Sequence, residues 1–219
     1  MFTHSVIEFL AYFILIPAII GIARFKRMLP SYRPFIFLIW LGALNEIVGS
    51  LSQHTYQTNA INSNIFVLVE GLLLLWMFFK WYSKTKQLII SFLITAILFI
   101  ILWVTDNIIL HPITNINSIY RICYSGVIVF LSIDKINETV MQEKESLLKN
   151  ARFLLCTGFI LFYAYRMVFE GFYVHNFGLS NNFYTNLFDI QVLINLFCNL
   201  IFALAILWIP TKQRFTLQY

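Results

Sequence analysis

Seven runs of apolar residues, each close to the length that crosses a lipid bilayer, limit what this chain can fold into. A helix rising about 1.5 Å per residue needs about 20 such residues to cross a hydrocarbon core of about 30 Å. The runs extend from about Ser5 to Ile22, Pro34 to Leu51, Asn62 to Trp81, Leu88 to Val104, Ile119 to Ser132, Phe153 to Gly171 and Leu187 to Trp208. They lack the period-two alternation of barrel strands and are too long for them, so each reads as a helix. With 60% hydrophobic and 11% charged residues, the composition excludes a soluble domain. No linker rich in Pro, Gly or Ser interrupts the runs. The expected fold is an all-α membrane protein, a single seven-helix transmembrane domain over residues 1–219.

Details within the runs set further expectations. Pro17 should remove a backbone hydrogen bond from the first helix and bend it. That run has no basic segment ahead of it and is followed by Arg24, Lys26 and Arg27, so it reads as a retained span rather than a signal peptide. Gly42 and Gly49, one heptad apart, mark a face of the second span that a neighbour can approach closely. The fourth span, the most uniformly apolar, should face lipid. The fifth can run on past the membrane, and Pro210 should stop the seventh.

Lysine and arginine fix the expected orientation, because short cytoplasmic loops hold them in excess. Of the 15, Arg24, Lys26, Arg27, Arg33, Lys80, Lys84, Lys86, Lys135, Lys144, Lys149, Arg152, Lys212 and Arg214 fall at one end of the spans, and Arg121 and Arg166 lie within spans. The N-terminus is therefore expected outside and the C-terminus in the cytoplasm. A net charge of +5 follows from this basic rim against the bilayer and calls for no nucleic acid partner.

The remaining ionisable residues gather toward the lysine-poor end. Glu8, Glu46, Glu70, Arg121, Arg166, Glu170 and Asp189 all map there, accompanied by Asn45, Asn64, Tyr124, Ser125 and a Gln191, Asn195, Asn199 stripe. Charges at membrane depth face a protein interior or a water-filled cavity and pair there. Arg166 and Glu170, four residues apart, share a helical face and are the nearest candidate pair. The pattern predicts a polar cavity open to the outside, with Glu46, Glu70, Arg121, Arg166, Glu170, Asn45, Asn64, Tyr124 and Asn195 as candidate ligand-binding residues. A structural ion-pair cluster that fixes helix packing is the competing reading. Glu8 and Asp189 can be solvated at the headgroups, the stripe reads as interhelical hydrogen bonding, and Tyr163 and Tyr165 read as filler. Five acids against two arginines leave carboxylates to be protonated or paired with a cation.

Several chemistries are excluded by what the spans lack. Cys123, Cys156 and Cys198 sit in three different spans without metal-site spacing, and His4, His54, His111 and His175 fall in loops or at the terminus. The seventh span has no lysine for a retinal Schiff base, and neither a serine elbow nor a phosphate loop is present. No metal, cofactor or catalytic residue is therefore expected. The hydrophilic segment 132–152 keeps Ile133, Ile136, Val140 and Leu147 at roughly helical spacing. It reads as a solvated helical loop or as a docking surface for a cytoplasmic protein partner.

Residues 64–75, NIFVLVEGLLLL, together with Asn45-Glu46, Tyr120-Arg121 and the Asn-bearing seventh span, resemble a group of small bacterial seven-helix membrane proteins, some of them similar to the membrane portions of sensor kinases. The resemblance implies a sensor-like protein of the bacterial inner membrane, here without a kinase domain. Three functions stay open: a module that binds or senses a small polar ligand, a proton- or cation-coupled transporter, and a lipid-modifying enzyme with a carboxylate base.

Overall fold

The computed structural model describes residues 4–82, 85–142, 146–175 and 180–211. Among them the chain is helical, and five segments are long and apolar enough to span a membrane: Pro30–Tyr56, Ala60–Trp81, Lys86–Leu110, Ala151–Val174 and Asn181–Trp208. In chain order the helices are α1 (His4–Ala11), α2 (Leu15–Arg24), α3 (Arg33–Tyr56), α4 (Ala60–Trp81), α5 (Lys86–Val104), α6 (Ile119–Gln142), α7 (Ala151–His175) and α8 (Asn181–Trp208). The first expected span is thus two helices, with a 3-10 turn at Tyr12–Ile14 between them. Pro17 explains the break and places it one turn earlier than the proline itself, because its ring excludes the helical position of the Phe13 carbonyl. α6 carries too many charges along its length to count among the five apolar helices.

Packing follows the chain, with α6 against α7, α7 against α8, α3 against α4, and α2 against α8. The core is aromatic at the centre: Phe35, Phe159 and Phe202 meet edge to face or tilted, with ring centroids 5.3 to 5.9 Å apart. α7 approaches α8 here because Gly158 lacks a side chain; a Cβ at that position would stand 2.5 Å from Phe202 Cε1. Gly42 and Gly49 are buried but do not serve one neighbour. Gly42 meets Ile14 in the 3-10 turn, and Gly49 meets Asn59 and Asn62 at the start of α4. As expected of the fourth span, α5 is the barest: only 11% of its apolar stretch is buried.

α5 ends in a π-helical segment, Thr105–Leu110. The Asn107 amide donates to the Trp103 carbonyl at 3.1 Å and so competes for the backbone acceptor of the preceding turn. At the other end of the bundle, α6 continues unbroken from the apolar run to Gln142, so 132–142 is an extension of the helix. Its faces depart from the amphipathic expectation, although Ile136 packs against the core as expected. Ser132, Lys135 and Thr139 are buried, while Ile133 and Val140 are exposed at 45% and 49%. Lys135 is held by Glu138 and lies over the Tyr82 ring, 3.6 Å from its centroid. Tyr82 donates to Asp134 at 2.5 Å, and burial together with that carboxylate pushes its hydroxyl pKa well up. The reading of this stretch as a solvated loop is corrected: one face of it is a polar packing surface.

Candidate functional site

Glu70, at mid-length in α4, collects donors from two other helices. Tyr124 donates at 2.5 Å, Tyr163 at 2.9 Å and Arg166 Nη1 at 2.9 Å. All four residues are 0–7% exposed. The carboxylate is an acceptor-only group, and three donors from α6 and α7 converge on its two oxygens. Tyr163 is therefore not filler but a hydrogen-bonding member of the site. Its partner choice was illegible because a tyrosine among many aromatic residues carries no spacing signal.

A second ion pair lies beside the first. Arg121 Nη1 stands 3.7 Å from Glu170 Oε1, and Ser118 donates to Glu170 Oε2 at 2.5 Å. The remaining nitrogens of Arg121 are fully engaged: Nε donates to the Asn117 carbonyl at 3.1 Å, and Nη2 to Ser63 Oγ at 2.9 Å and Asn64 Oδ1 at 3.1 Å. The expected Arg166–Glu170 pair is thus corrected. Both residues sit on one face of α7, but Arg166 reaches α4 and Glu170 reaches α6. At this depth each charge takes the opposite charge of the nearest facing helix, and the four-residue spacing only guarantees a common face.

Asn64 ties this cluster to the α5–α6 connection. Its side-chain amide donates to the carbonyls of Ile113 at 3.0 Å and Asn115 at 2.6 Å, and its backbone carbonyl accepts from Trp103 Nε1 at 2.7 Å. Beyond it, Asn117 donates to Asn107 Oδ1 at 3.1 Å. Asp106, 1% exposed, accepts from the Tyr120 backbone N–H at 2.8 Å, so it caps α6 from another element. His111 Nδ1 lies 3.2 Å from the same carboxylate. Sequence reasoning missed Asp106, Asn107 and Asn117. The signal was a carboxylate and an amide together at the end of the most apolar run, where a polar pair is expensive unless it has partners.

Three sequence candidates lie outside the cluster. Asn45 accepts from Asn62 at 2.9 Å and links α3 to α4 near their ends. Glu46 is half-buried and makes no hydrogen bond among the described residues. Asn195 accepts from Asn199 at 3.4 Å within α8, so that part of the stripe bonds along its own helix and not across helices. The side chain of Glu8 lies outside the described ones, whereas Asp189 is buried, 9% exposed, and so is not the solvated group expected. Among the described residues no three His, Cys, Asp or Glu side chains converge as metal ligands would.

Chemically, the site is two buried salt bridges packed side by side and nearly closed. The side chains of both pairs are 6–8% exposed. One group is incompletely used. Arg166 is 7% exposed, and of its guanidinium nitrogens only Nη1 has an acceptor, so its Nε–Nη2 edge bonds to no described group. The Tyr124 and Phe162 rings flank it, with centroids 5.5 and 5.8 Å from Cζ. Compared with known protein families, curated proteins and solved structures, the chain matches none of them.

Proposed function

We propose that this is a seven-crossing membrane protein that binds or senses a small carboxylate ligand at its lysine-poor end. The observation that carries the reading is the unengaged Nε–Nη2 edge of Arg166. A guanidinium presents paired N–H groups in a fixed fork that matches a carboxylate, and here Glu70 orients that fork from the other side. Two aromatic rings beside it supply a dry wall. A role for Glu70 as a proton relay is less well supported, because it is surrounded by donors from three side chains. The experiment is a titration of the purified protein with acetate, lactate and succinate at constant ionic strength. A saturable rise in unfolding temperature with at least one of them is expected; no rise with any of them counts against the reading.

The topology in this proposal has α1 with α2 and α6 crossing alongside the five long apolar helices, the N-terminus outside and the C-terminus in the cytoplasm. Its support is the division of lysine and arginine between the two ends, and the inner-membrane location rests on the resemblance stated above. In a Cys123→Ser background, a membrane-impermeant thiol reagent applied outside should label Ser180→Cys and leave Gln87→Cys unlabelled. The opposite pattern would reverse the orientation and place the ligand site on the cytoplasmic side.

A further inference from the structure

A second site lies at the opposite end of the bundle. A cavity of about 300 Å³ opens between the α2–α3 connection, the end of α6, the start of α7 and the end of α8. Ser31, Thr139, Gln142, Ser146, Lys149 and Arg152 supply its polar wall, and no carboxylate is among the described lining residues. Among the described residues the two cations are not neutralised elsewhere. Lys149 lies over the Trp208 ring at 5.9 Å and Arg152 over the Trp81 ring at 5.5 Å, and neither forms an ion pair among the described residues. Arg152 Nε is buried without a hydrogen-bond partner.

The backbone adds to this positive field. α7 begins at the cavity, with Asn150 Oδ1 accepting from the N–H groups of Arg152 and Phe153 at 2.9 and 3.1 Å. Asn150, Ala151 and Arg152 line the cavity, so the first turn of the 25-residue α7 lies beside the two cations with two of its N–H groups already capped by Asn150. The cavity is also held in shape from the far side of the chain. Leu29 N–H donates to the Pro210 carbonyl at 3.1 Å, and Arg24 donates to the Ile209 carbonyl at 3.1 Å, which fixes the end of α8 against the α2–α3 connection.

We infer that this cavity binds a phosphate group, with Lys149 and Arg152 as its charged contacts and the hydroxyl and amide groups as neutral ones. Two cations without an ion pair among the described residues, with hydroxyl and amide donors around them, are the combination that an anion with several acceptor oxygens satisfies. A phosphate of this kind comes either from a lipid headgroup or from solution. The site shares no residue with the Glu70–Arg166 cluster, so either can fail without the other.

The test uses the full-length protein in a neutral detergent at constant ionic strength. Its unfolding temperature is followed against inorganic phosphate in one arm and against short-chain phosphatidylglycerol in the other. A saturable rise is expected in at least one arm. Phosphate acting alone identifies a soluble source, and lipid acting alone identifies the headgroup. Lys149→Gln and Arg152→Gln should each weaken the midpoint about tenfold or more, the loss expected for one charge-assisted hydrogen bond. Lys86→Gln, an exposed cation at the start of α5, should leave it unchanged. Should either variant unfold, Arg152→Lys keeps the charge without the fork and is expected to weaken the midpoint by a smaller factor. The inference is overturned by no saturable rise in either arm, or by Lys86→Gln weakening binding as much as the two cavity variants.

Discussion

Arg166→Ala is expected to lower the unfolding free energy by about 3 to 5 kcal/mol, the range for breaking a buried salt bridge by removing one partner. The penalty comes from what remains. Glu70 would keep the hydroxyls of Tyr124 and Tyr163 but would lose the only cation that bonds to it among the described residues, at a position 5% exposed. Arg121 cannot move over to replace the missing charge, since Asn117, Ser63 and Asn64 hold it. Neutralising the survivor should therefore recover much of the loss. In Arg166→Ala/Glu70→Gln no unpaired ion is left, and the two single effects should be strongly non-additive. Equilibrium unfolding of both single variants and the double variant measures this directly. Additive losses would mean that the 2.9 Å bond contributes little to stability.

Asn64→Leu is the second large effect, about 2 to 4 kcal/mol, because the change removes partners from several buried groups at once. Leucine keeps the branched shape and the number of side-chain heavy atoms but is bulkier, so some overpacking at this fully buried position adds to the lost hydrogen bonds. The carbonyls of Ile113 and Asn115 and Nη2 of Arg121 would each lose a bond to the amide side chain. Leaving a charged group short of an acceptor raises the cost above that of a neutral pair. Asn62→Ala, which removes a single bond to Asn45 at a half-buried position, should cost about 1 kcal/mol or less. Hydrogen exchange should report faster opening of residues 111–118 in Asn64→Leu and not in Asn62→Ala. Equal, small losses from both would show that the α5–α6 connection is held by something other than Asn64.

Much of the architecture was legible because it follows from length and polarity. The stretches from Asn62, Leu88, Phe153 and Leu187 each lie within a helix long enough to cross a membrane, with ends close to those expected. Pro17 announced a disruption, although sequence alone could not say that the chain would answer with a 3-10 turn before it. The partners were not legible. Arg166 and Glu170 had to share a face of α7, but which helix meets that face depends on the approach of α4 and α6, and no local spacing encodes it. Asp106 was passed over for the same reason, since its partners Tyr120 and His111 lie across a turn that the sequence does not describe. The buried face of 132–142 was misjudged at Ile133 and Val140, though not at Ile136, because the amphipathic rule assumes water on one side and an apolar core on the other. At the end of a membrane bundle the interior is polar: Lys135, Ser132 and Thr139 are buried, and apolar Ile133 and Val140 are exposed.

The same contrast governs function. Charges inside apolar runs located the cluster, and six of the nine candidates, Glu70, Arg121, Arg166, Glu170, Asn64 and Tyr124, meet within it. In the proposed reading, what the cluster does turns on a single edge of one guanidinium, a matter of geometry that composition cannot carry.

The carboxylate titration repeated on Arg166→Lys therefore addresses the central claim most directly. Lysine keeps the charge opposite Glu70 and so most of the stability, but it is a point charge without the second pair of donors. The account predicts an unfolding temperature near that of the parent in the absence of ligand, with the midpoint for the responsive carboxylate weakened about tenfold or more. A variant that is stable and answers the same carboxylate at an unchanged midpoint would contradict it and leave Arg166 as a packing element alone.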